Sequence, residues 1–197
     1  MILRYSLGSP FARKTAMAAH ALGLASQITM IDHDADPSNT VRHKNPLHKI
    51  PMLIADDGTA IFDSPIIMEY LDELAGGGKI MPARGIERYR TLSQLALADG
   101  VAEAMVLVHY EDRWREPEQV SQRWIDHQSG KITRGLQEFE NALPEKFDAA
   151  AMGLYCALAF IDKSKHYSWR ERFPKLLAWW QAARQNEACV RATEPTS

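Results

Sequence analysis

Cysteine is scarce in this chain. Only Cys156 and Cys189 occur among 197 residues, and they form no Cys-x-x-Cys pair. The sequence therefore indicates neither a thiolate metal site nor a dithiol redox centre. Both cysteines lie in apolar, helix-like stretches, and free cysteine is among the residue types most often buried, so we interpret them as packing residues.

The chain also lacks an excess of positive charge and a long apolar run. Its net charge is −2, with 7 basic and 9 acidic residues up to position 80 and 16 of each beyond it. This balance argues against a nucleic-acid partner. No stretch resembles the roughly 20 apolar residues of a membrane span, and the start MILRYSLGSPFARK does not resemble a signal peptide. We therefore expect a cytoplasmic protein without a membrane partner.

What the chain does contain is, first, a strand, helix and strand pattern. Residues 2–5 predict a strand, and Ser9-Pro10 predicts a helix start with serine at the N-cap and proline at the first helical position. The helix is expected to end near Gly23, and residues 28–31 predict a second strand. So short a repeat implies parallel strands.

A hairpin and a third helix follow. Residues 52–54 and 60–62 flank Asp56-Asp57-Gly58, a turn sequence that predicts two antiparallel strands. Ser64-Pro65 repeats the cap-then-proline pattern, so Ser64 is predicted as the N-cap of the next helix. This order is that of an α/β thioredoxin-like domain, which we assign to residues 1–77.

Residues 84–197 show helical spacing only and are predicted to form a separate all-α domain. Four helices are expected there: one from about Ile86, one from about Glu118 to Leu143, one over 149–161 with Asp148 as its N-cap, and one from Pro174.

Two features of the first domain suit an extended peptide ligand. Pro51 restricts Ile50 to extended backbone, and the bond between them is a candidate cis peptide. Ile50 can then offer its N–H and C=O to another extended chain. Asp63 and Ser64 combine a carboxylate with the free N–H groups of a helix start. A small peptide that carries both an ammonium and a carboxylate fits this pair.

At this point the chain resembles the glutathione S-transferase family over essentially its whole length. The resemblance rests on the all-helical second half and on three segments at matching spacings: Ser9-Pro10-Phe11-Ala12-Arg13-Lys14, Asn45-Pro46-Leu47-His48-Lys49-Ile50-Pro51-Met52-Leu53, and Asp63-Ser64 leading into Ile66-Ile67-Met68-Glu69-Tyr70-Leu71. It is similar to bacterial, cytosolic, serine-type members. The resemblance implies a glutathione-binding first domain, a hydrophobic second-substrate pocket shaped by the helical domain, a cis Pro51, and a homodimer.

The resemblance also implies roles for individual residues. Ile50 would pair with the cysteinyl unit of glutathione, Ser64 would bind the γ-glutamyl carboxylate, and Asp63 would neutralise the ammonium, although helix-end complementarity alone also explains Asp63. His48 and Lys49 either reach the glycyl carboxylate or are simply solvated. The implied glutathione-binding residues are Ser9, Phe11, His48, Lys49, Ile50, Pro51, Asp63 and Ser64.

Ser9 has two interpretations. It can be only a helix cap, worth about 1 kcal/mol, or its hydroxyl can donate to the glutathione sulfur and favour the nucleophilic thiolate. We favour the catalytic role. Tyr5 is a poorer candidate for the catalytic residue because it lies on the strand. Arg13 has two possible roles, in a surface ion pair or near the active site.

For the second substrate, the candidate wall residues are Phe11, Met105, His109, Tyr110 and Trp114. A stripe of this kind is also typical of a core or a dimer interface. Asp32, His33, Asp34 and Asp36 look briefly like a metal cluster, but they lack the pattern of a calcium loop, and we expect a solvated segment and no metal.

Together these residues predict a glutathione transferase that conjugates the glutathione thiolate to small hydrophobic electrophiles, a detoxification activity. Other glutathione-dependent reactions remain open: isomerisation, dehalogenation, peroxide reduction and disulfide reduction. A protein of the same fold that binds glutathione or a partner without catalysis is the alternative from another class. The first helix start carries no cysteine, which argues against thiol exchange by the protein itself.

Overall fold

The computed structural model describes residues 1–33 and 44–192. Its sheet has four strands in the order β2-β1-β3-β4. The strands are β1 Ile2–Tyr5, β2 Thr29–Asp32, β3 Met52–Ile54 and β4 Ala60–Ile61. β1 is parallel to β2 and antiparallel to β3, and β4 is antiparallel to β3. This mixed sheet is thioredoxin-like, and both the parallel pair and the hairpin were predicted.

Helices make up the rest of the described structure. They are α1 Pro10–Ala21, α2 Ser64–Leu74, α3 Ile86–Trp114, α4 Gln122–Asn141, α5 Ala149–Ile161, α6 Pro174–Ala183 and α7 Glu187–Arg191. Short 3-10 turns occupy Ala25–Gln27 and Pro117–Gln119. All four strands precede α2, and only helical elements follow it in the part of the chain that the structure describes, as the predicted fold class requires. The domain limits 1–77 and 84–197 stay a prediction.

Several helix starts follow their local sequence signals. The Ser9 hydroxyl accepts a hydrogen bond from the Ala12 N–H at 3.3 Å and so caps α1. Gly23 adopts a φ of 71° just beyond the end of this helix, a conformation that favours glycine. The Asp148 carboxylate accepts from the Ala151 N–H at 3.1 Å and caps α5.

Other limits differ from the prediction. α4 begins at Gln122 rather than 118, because residues 117–119 form a 3-10 turn and Ser121 caps the helix by accepting from the Trp124 N–H. α7 was not anticipated; it is short and is capped by Asn186. The second strand lies one residue later than expected.

The core of the helical half is built around α5. Nearly every side chain of this helix is buried, and it packs against both α1 and α3. Cys156 and Cys189 are buried thiols, and burial raises the pKa of each to about 12. A thiol with so high a pKa is a poor nucleophile at neutral pH, which agrees with a packing role.

Helix α3 corrects one expectation about membranes. By length and composition alone it is apolar enough to cross a bilayer, whereas we found no such stretch in the sequence. In the fold, 44% of its most apolar window is buried, and it packs against α4 and α5. The core helix of a water-soluble protein passes the same test, so the helix is weak evidence for a span.

Candidate functional site

The sheet register brings the three predicted site segments to one edge. Arg4 of β1 pairs with Met52 of β3, so the carboxyl end of β1 lies beside the amino end of β3. Leu53 of β3 pairs with Ile61 of β4, so the carboxyl end of β4 lies at the same edge. The Ser9 turn follows β1, Ile50-Pro51 precedes β3, and Asp63-Ser64 follows β4.

The Ser9 turn presents a hydroxyl at the start of α1. The Ser9 N–H donates to the Ser6 carbonyl at 3.1 Å, which closes the turn, and the side chain is half-buried. Its Oγ accepts the capping hydrogen bond from Ala12, so the hydroxyl hydrogen is still available to donate. The helix start adds positive potential at the same place. Tyr5, by contrast, is buried in the core.

The segment before β3 is shaped by a residue to which we assigned no role. Asn45 is buried; its amide donates to the Lys49 carbonyl at 2.8 Å, and its Oδ1 accepts from the Leu47 N–H at 3.0 Å. The Asn-Pro dipeptide, a turn signal, was the available clue. The Ile50–Pro51 peptide bond is cis, as the resemblance implied.

The neighbours of Ile50 are open to solvent. His48 and Lys49 are exposed, and His48 has a φ of 53°. Ile50 itself is half-buried and Pro51 is buried.

The start of α2 differs from the prediction. Asp63, not Ser64, is the N-cap: it has extended backbone, its carboxylate accepts from the Ser64 N–H, and its carbonyl accepts from the Ile67 N–H. Ser64 is therefore the first helical residue and Pro65 the second. The carboxylate captures the first free N–H and so displaces serine from the cap.

This displacement leaves the Ser64 side chain in an uncommon state. Ser64 is 0% exposed, and its Oγ has no hydrogen-bond partner within residues 1–33 and 44–192. A buried hydroxyl without a partner carries a desolvation cost of roughly 1–3 kcal/mol. It lies at a helix start, where backbone N–H groups and the helix dipole favour an anion.

The candidate residues for the second-substrate pocket differ in their exposure to solvent. Phe11 is half-buried on the first turn of α1, with the Lys14 ammonium 5.8 Å from its ring centre. On α3, Met105 is 1% exposed and packs in the core, whereas Tyr110 is 43% and Trp114 70% exposed. His109 is exposed and meets the edge of the Phe160 ring. The four α3 residues thus do not share one face.

Two cavities lie elsewhere. They measure about 460 and 340 Å³, and both are lined by Phe147 and Asn186 in the helical half. Neither touches a residue of the candidate site. Within the described ranges, no three His, Cys, Asp or Glu side chains are grouped as a metal site. Asp34 and Asp36 lie outside the described residues.

Comparison with known proteins identifies the family. Residues 8–74 match the family model described as the N-terminal domain of glutathione S-transferase. A relative from Escherichia coli (strain K12), described as the uncharacterized GST-like protein YibF, is 31% identical over 164 residues, with 80% of each chain covered. The chain belongs to the glutathione S-transferase family.

Solved structures agree over the whole chain. A glutathione transferase family member from Pseudomonas fluorescens Pf-5 with bound glutathione is 33% identical, with a TM-score of 0.91 over 99% of both chains. A glutathione S-transferase from Methylobacillus flagellatus KT with GSH bound is 29% identical, with a TM-score of 0.89 over 98% of this chain and 99% of that one.

Proposed function

We propose that the protein is a glutathione transferase that binds glutathione as the thiolate and conjugates it to small hydrophobic electrophiles. One observation carries the proposal. Three features lie at the same edge of the sheet: the Ser9 hydroxyl at the start of α1, the cis-proline segment before β3, and the start of α2. At the start of α2, the Ser64 hydroxyl is buried and has no hydrogen-bond partner within the described residues. Neighbours of this fold bind glutathione.

The tripeptide would lie extended across this edge. Main-chain groups of Ile50 pair with its cysteinyl unit, as in strand addition. The Ser64 hydroxyl and the α2 start bind the γ-glutamyl carboxylate, and Asp63 faces the ammonium. Phe11 and Pro51 border the ligand, and His48 and Lys49 lie toward the glycyl carboxylate.

Ser9 is the proposed catalytic residue. Its hydroxyl donates to the sulfur, and the α1 start adds positive potential; both stabilise thiolate over thiol. Starting from a thiol pKa of about 8.5, each unit of depression corresponds to about 1.4 kcal/mol, so two modest interactions make thiolate dominant at pH 7. The thiolate then attacks an electrophilic carbon, a C–S bond forms, and with an aryl halide the carbon–halogen bond breaks and halide leaves with the electron pair.

We propose further that the protein is a cytoplasmic homodimer. Large apolar side chains are exposed on α2 and at the start of α3, namely Ile66, Leu74, Ile86 and Tyr89. Arg88 of α3 forms an ion pair with Glu69 of α2, so the two helices that carry these apolar residues contact each other. A second copy would cover this surface. A monomeric mass by light scattering at micromolar concentration would refute the dimer.

Titration of glutathione into the protein, with the ultraviolet band of the thiolate as readout, tests the main proposal. We expect binding below about millimolar concentration with thiolate formed at pH 7, followed by conjugation of chlorodinitrobenzene. The absence of binding at millimolar glutathione excludes a glutathione enzyme. Binding without thiolate or turnover instead supports a non-catalytic binding protein.

A further inference from the structure

A buried ion pair connects the two halves of the chain beside the proposed site. The Lys14 ammonium on α1 donates to both carboxylate oxygens of Asp99 on α3, 85 residues away. The Lys14 side chain is 1% exposed and that of Asp99 is 16% exposed. A pair this buried gains little net stability, because the loss of hydration offsets most of the attraction between the charges. Stability alone therefore does not account for it.

On the α1 side, the pair lies on the second turn of the helix that Ser9 caps. Lys14 follows Ser9 by five residues on the same short helix, and its ammonium lies against the face of the Phe11 ring at 5.8 Å from the centre. A cation held against an aromatic ring is attracted to it, so the position of Lys14 and that of Phe11 are linked.

On the α3 side, the pair marks the helix face that is directed toward α1. Residues four, seven and eleven positions after Asp99 share its helix face, and these are Glu103, Val106 and Tyr110. Val106 is half-buried and Tyr110 is exposed, so this stripe offers surface to a ligand. The contact of Asp99 with α1 identifies this stripe, and neither Met105 nor His109 belongs to it.

Helix α5 packs closely against α3 beside Asp99. Gly153 of α5 approaches α3 so closely that an added Cβ would lie 2.9 Å from Leu95 Cδ1, 3.3 Å from Ala98 Cβ and 3.9 Å from the Asp99 carboxylate. The Asp99 carboxylate therefore contacts Lys14 of α1 and lies close to the α5 backbone. The ion pair thus sets the spacing between α3 and the start of α1.

We propose that Lys14 and Asp99 are positioning residues for the second substrate. They hold Phe11 opposite the stripe of Glu103, Val106 and Tyr110, and so they set the width of the cleft in which an electrophile meets the thiolate. This inference rests on the proposed transferase function. It replaces Met105 and His109 with Val106 and Tyr110 as the wall residues of α3.

The test compares Asp99→Asn with Glu69→Gln. Glu69 of α2 also pairs with α3, through Arg88, so each variant turns one carboxylate of an ion pair between the halves into an amide of the same shape. Arg88 lies eleven residues, about 16 Å, before Asp99 on the same face of α3. Light scattering is used to check that both variants have the same mass in solution as the unmodified protein.

We expect Asp99→Asn to raise the KM for chlorodinitrobenzene and lower kcat/KM at least about tenfold, because a small misplacement of reacting groups has large effects on rate. The KM for glutathione and the pH midpoint of the thiolate band stay within about twofold, since the groups that bind glutathione are intact. Glu69→Gln leaves all of these values within about twofold.

The inference is wrong if Glu69→Gln causes the same loss, if Asp99→Asn affects glutathione and electrophile equally, or if it affects neither. If Asp99→Asn does not fold, a double variant, Lys14→Met with Asp99→Leu, replaces the ion pair by apolar side chains that keep the fold. In that variant too, the KM for chlorodinitrobenzene should rise while the KM for glutathione stays within about twofold. Failure of the proposed function is recognised separately, because the unmodified protein would then show no conjugation.

Discussion

The starts of α1 and α2 look alike in sequence and differ in structure. Both carry Ser-Pro, but Ser9 caps its helix and Ser64 does not. The residue before each serine explains the difference. Gly8 has no side chain and leaves the cap to Ser9, whereas the Asp63 carboxylate takes the cap and leaves the Ser64 hydroxyl buried without a partner among the described residues.

The comparison assigns different tasks to the two hydroxyls. The Ser9 side chain is half-buried, and its Oγ accepts a hydrogen bond from the Ala12 N–H. The hydroxyl hydrogen is still available to donate to a sulfur. Ser64 is held away from water in the free protein, so a bound carboxylate would supply the partner that it lacks. Under the proposed function, the same Ser-Pro motif would serve chemistry at α1 and recognition at α2.

The largest effect is expected at Ser9. Ser9→Ala should lower kcat for chlorodinitrobenzene about 100-fold, as loss of one donor to a developing or stabilised anion does, with little change in the affinity for glutathione. It also removes the cap, which lowers the free energy of unfolding by about 1 kcal/mol.

Ser9→Gly is the matched control, because glycine replaces a serine cap at a cost of only a few tenths of a kcal/mol. An equal loss of kcat in both variants assigns the loss to the hydroxyl rather than to stability. If Ser9→Gly retains full turnover, Ser9 is only a cap. Steady-state kinetics measure kcat, and urea denaturation measures the free energy of unfolding.

Ser64→Ala should act on binding alone. We expect the Kd of glutathione to rise about tenfold or more, since a hydrogen bond to a charged group is worth roughly 1.5–3 kcal/mol. The free energy of unfolding should stay constant or increase, because the variant removes a buried hydroxyl that lacks a partner. Calorimetric titration and urea denaturation measure the two quantities. A destabilised Ser64→Ala protein would contradict the assignment.

A carboxylate can be placed before Ser9 to imitate α2. An added Cβ at Gly8 meets only Ser6 Oγ, at an ordinary 3.5 Å, so Gly8→Asp fits the turn. Its negative charge near the sulfur should raise the pKa of the thiol of bound glutathione by about one unit, so less thiolate forms at pH 7. Gly8→Asn is the neutral control. The pH titration of the thiolate band gives the shift, and equal midpoints in the two variants would refute the expectation.

The smallest effect is expected at Asp63. Asparagine caps as well as aspartate, so Asp63→Asn should keep the stability of the protein while it removes the charge opposite the ammonium. Because Asp63 is exposed, we expect the Kd of glutathione to rise only about threefold. Salt should reduce this difference between the two proteins, and a difference that is insensitive to salt would exclude a charge effect.

Much of the first half was predictable because its signals are local. A turn at Asp57-Gly58, the cap at Ser9 and the restriction imposed by Pro51 each involve neighbouring residues, and the structure contains all three. The cap at Asp63 was missed for the same local reason: two adjacent residues are both good caps, and their competition is decided by backbone geometry.

The wall of α3 was not predictable in this way. Met105 and Tyr110 have similar surroundings in the sequence, and which of them faces the core depends on how α3 packs against α4 and α5. The close contacts that fix this packing, such as Gly135 against Val101, join residues distant in the chain. The helical spacing of residues in the sequence therefore does not predict which face of α3 contacts α1.

The sequence by itself therefore determined most of the elements and their order, because caps, turns and periodicity act over a few residues. The tertiary structure decided which side chains lie together at the sheet edge, which face of α3 meets the core, and that Lys14 meets Asp99. Those outcomes depend on strand register and helix packing, which sum many weak contacts between distant segments.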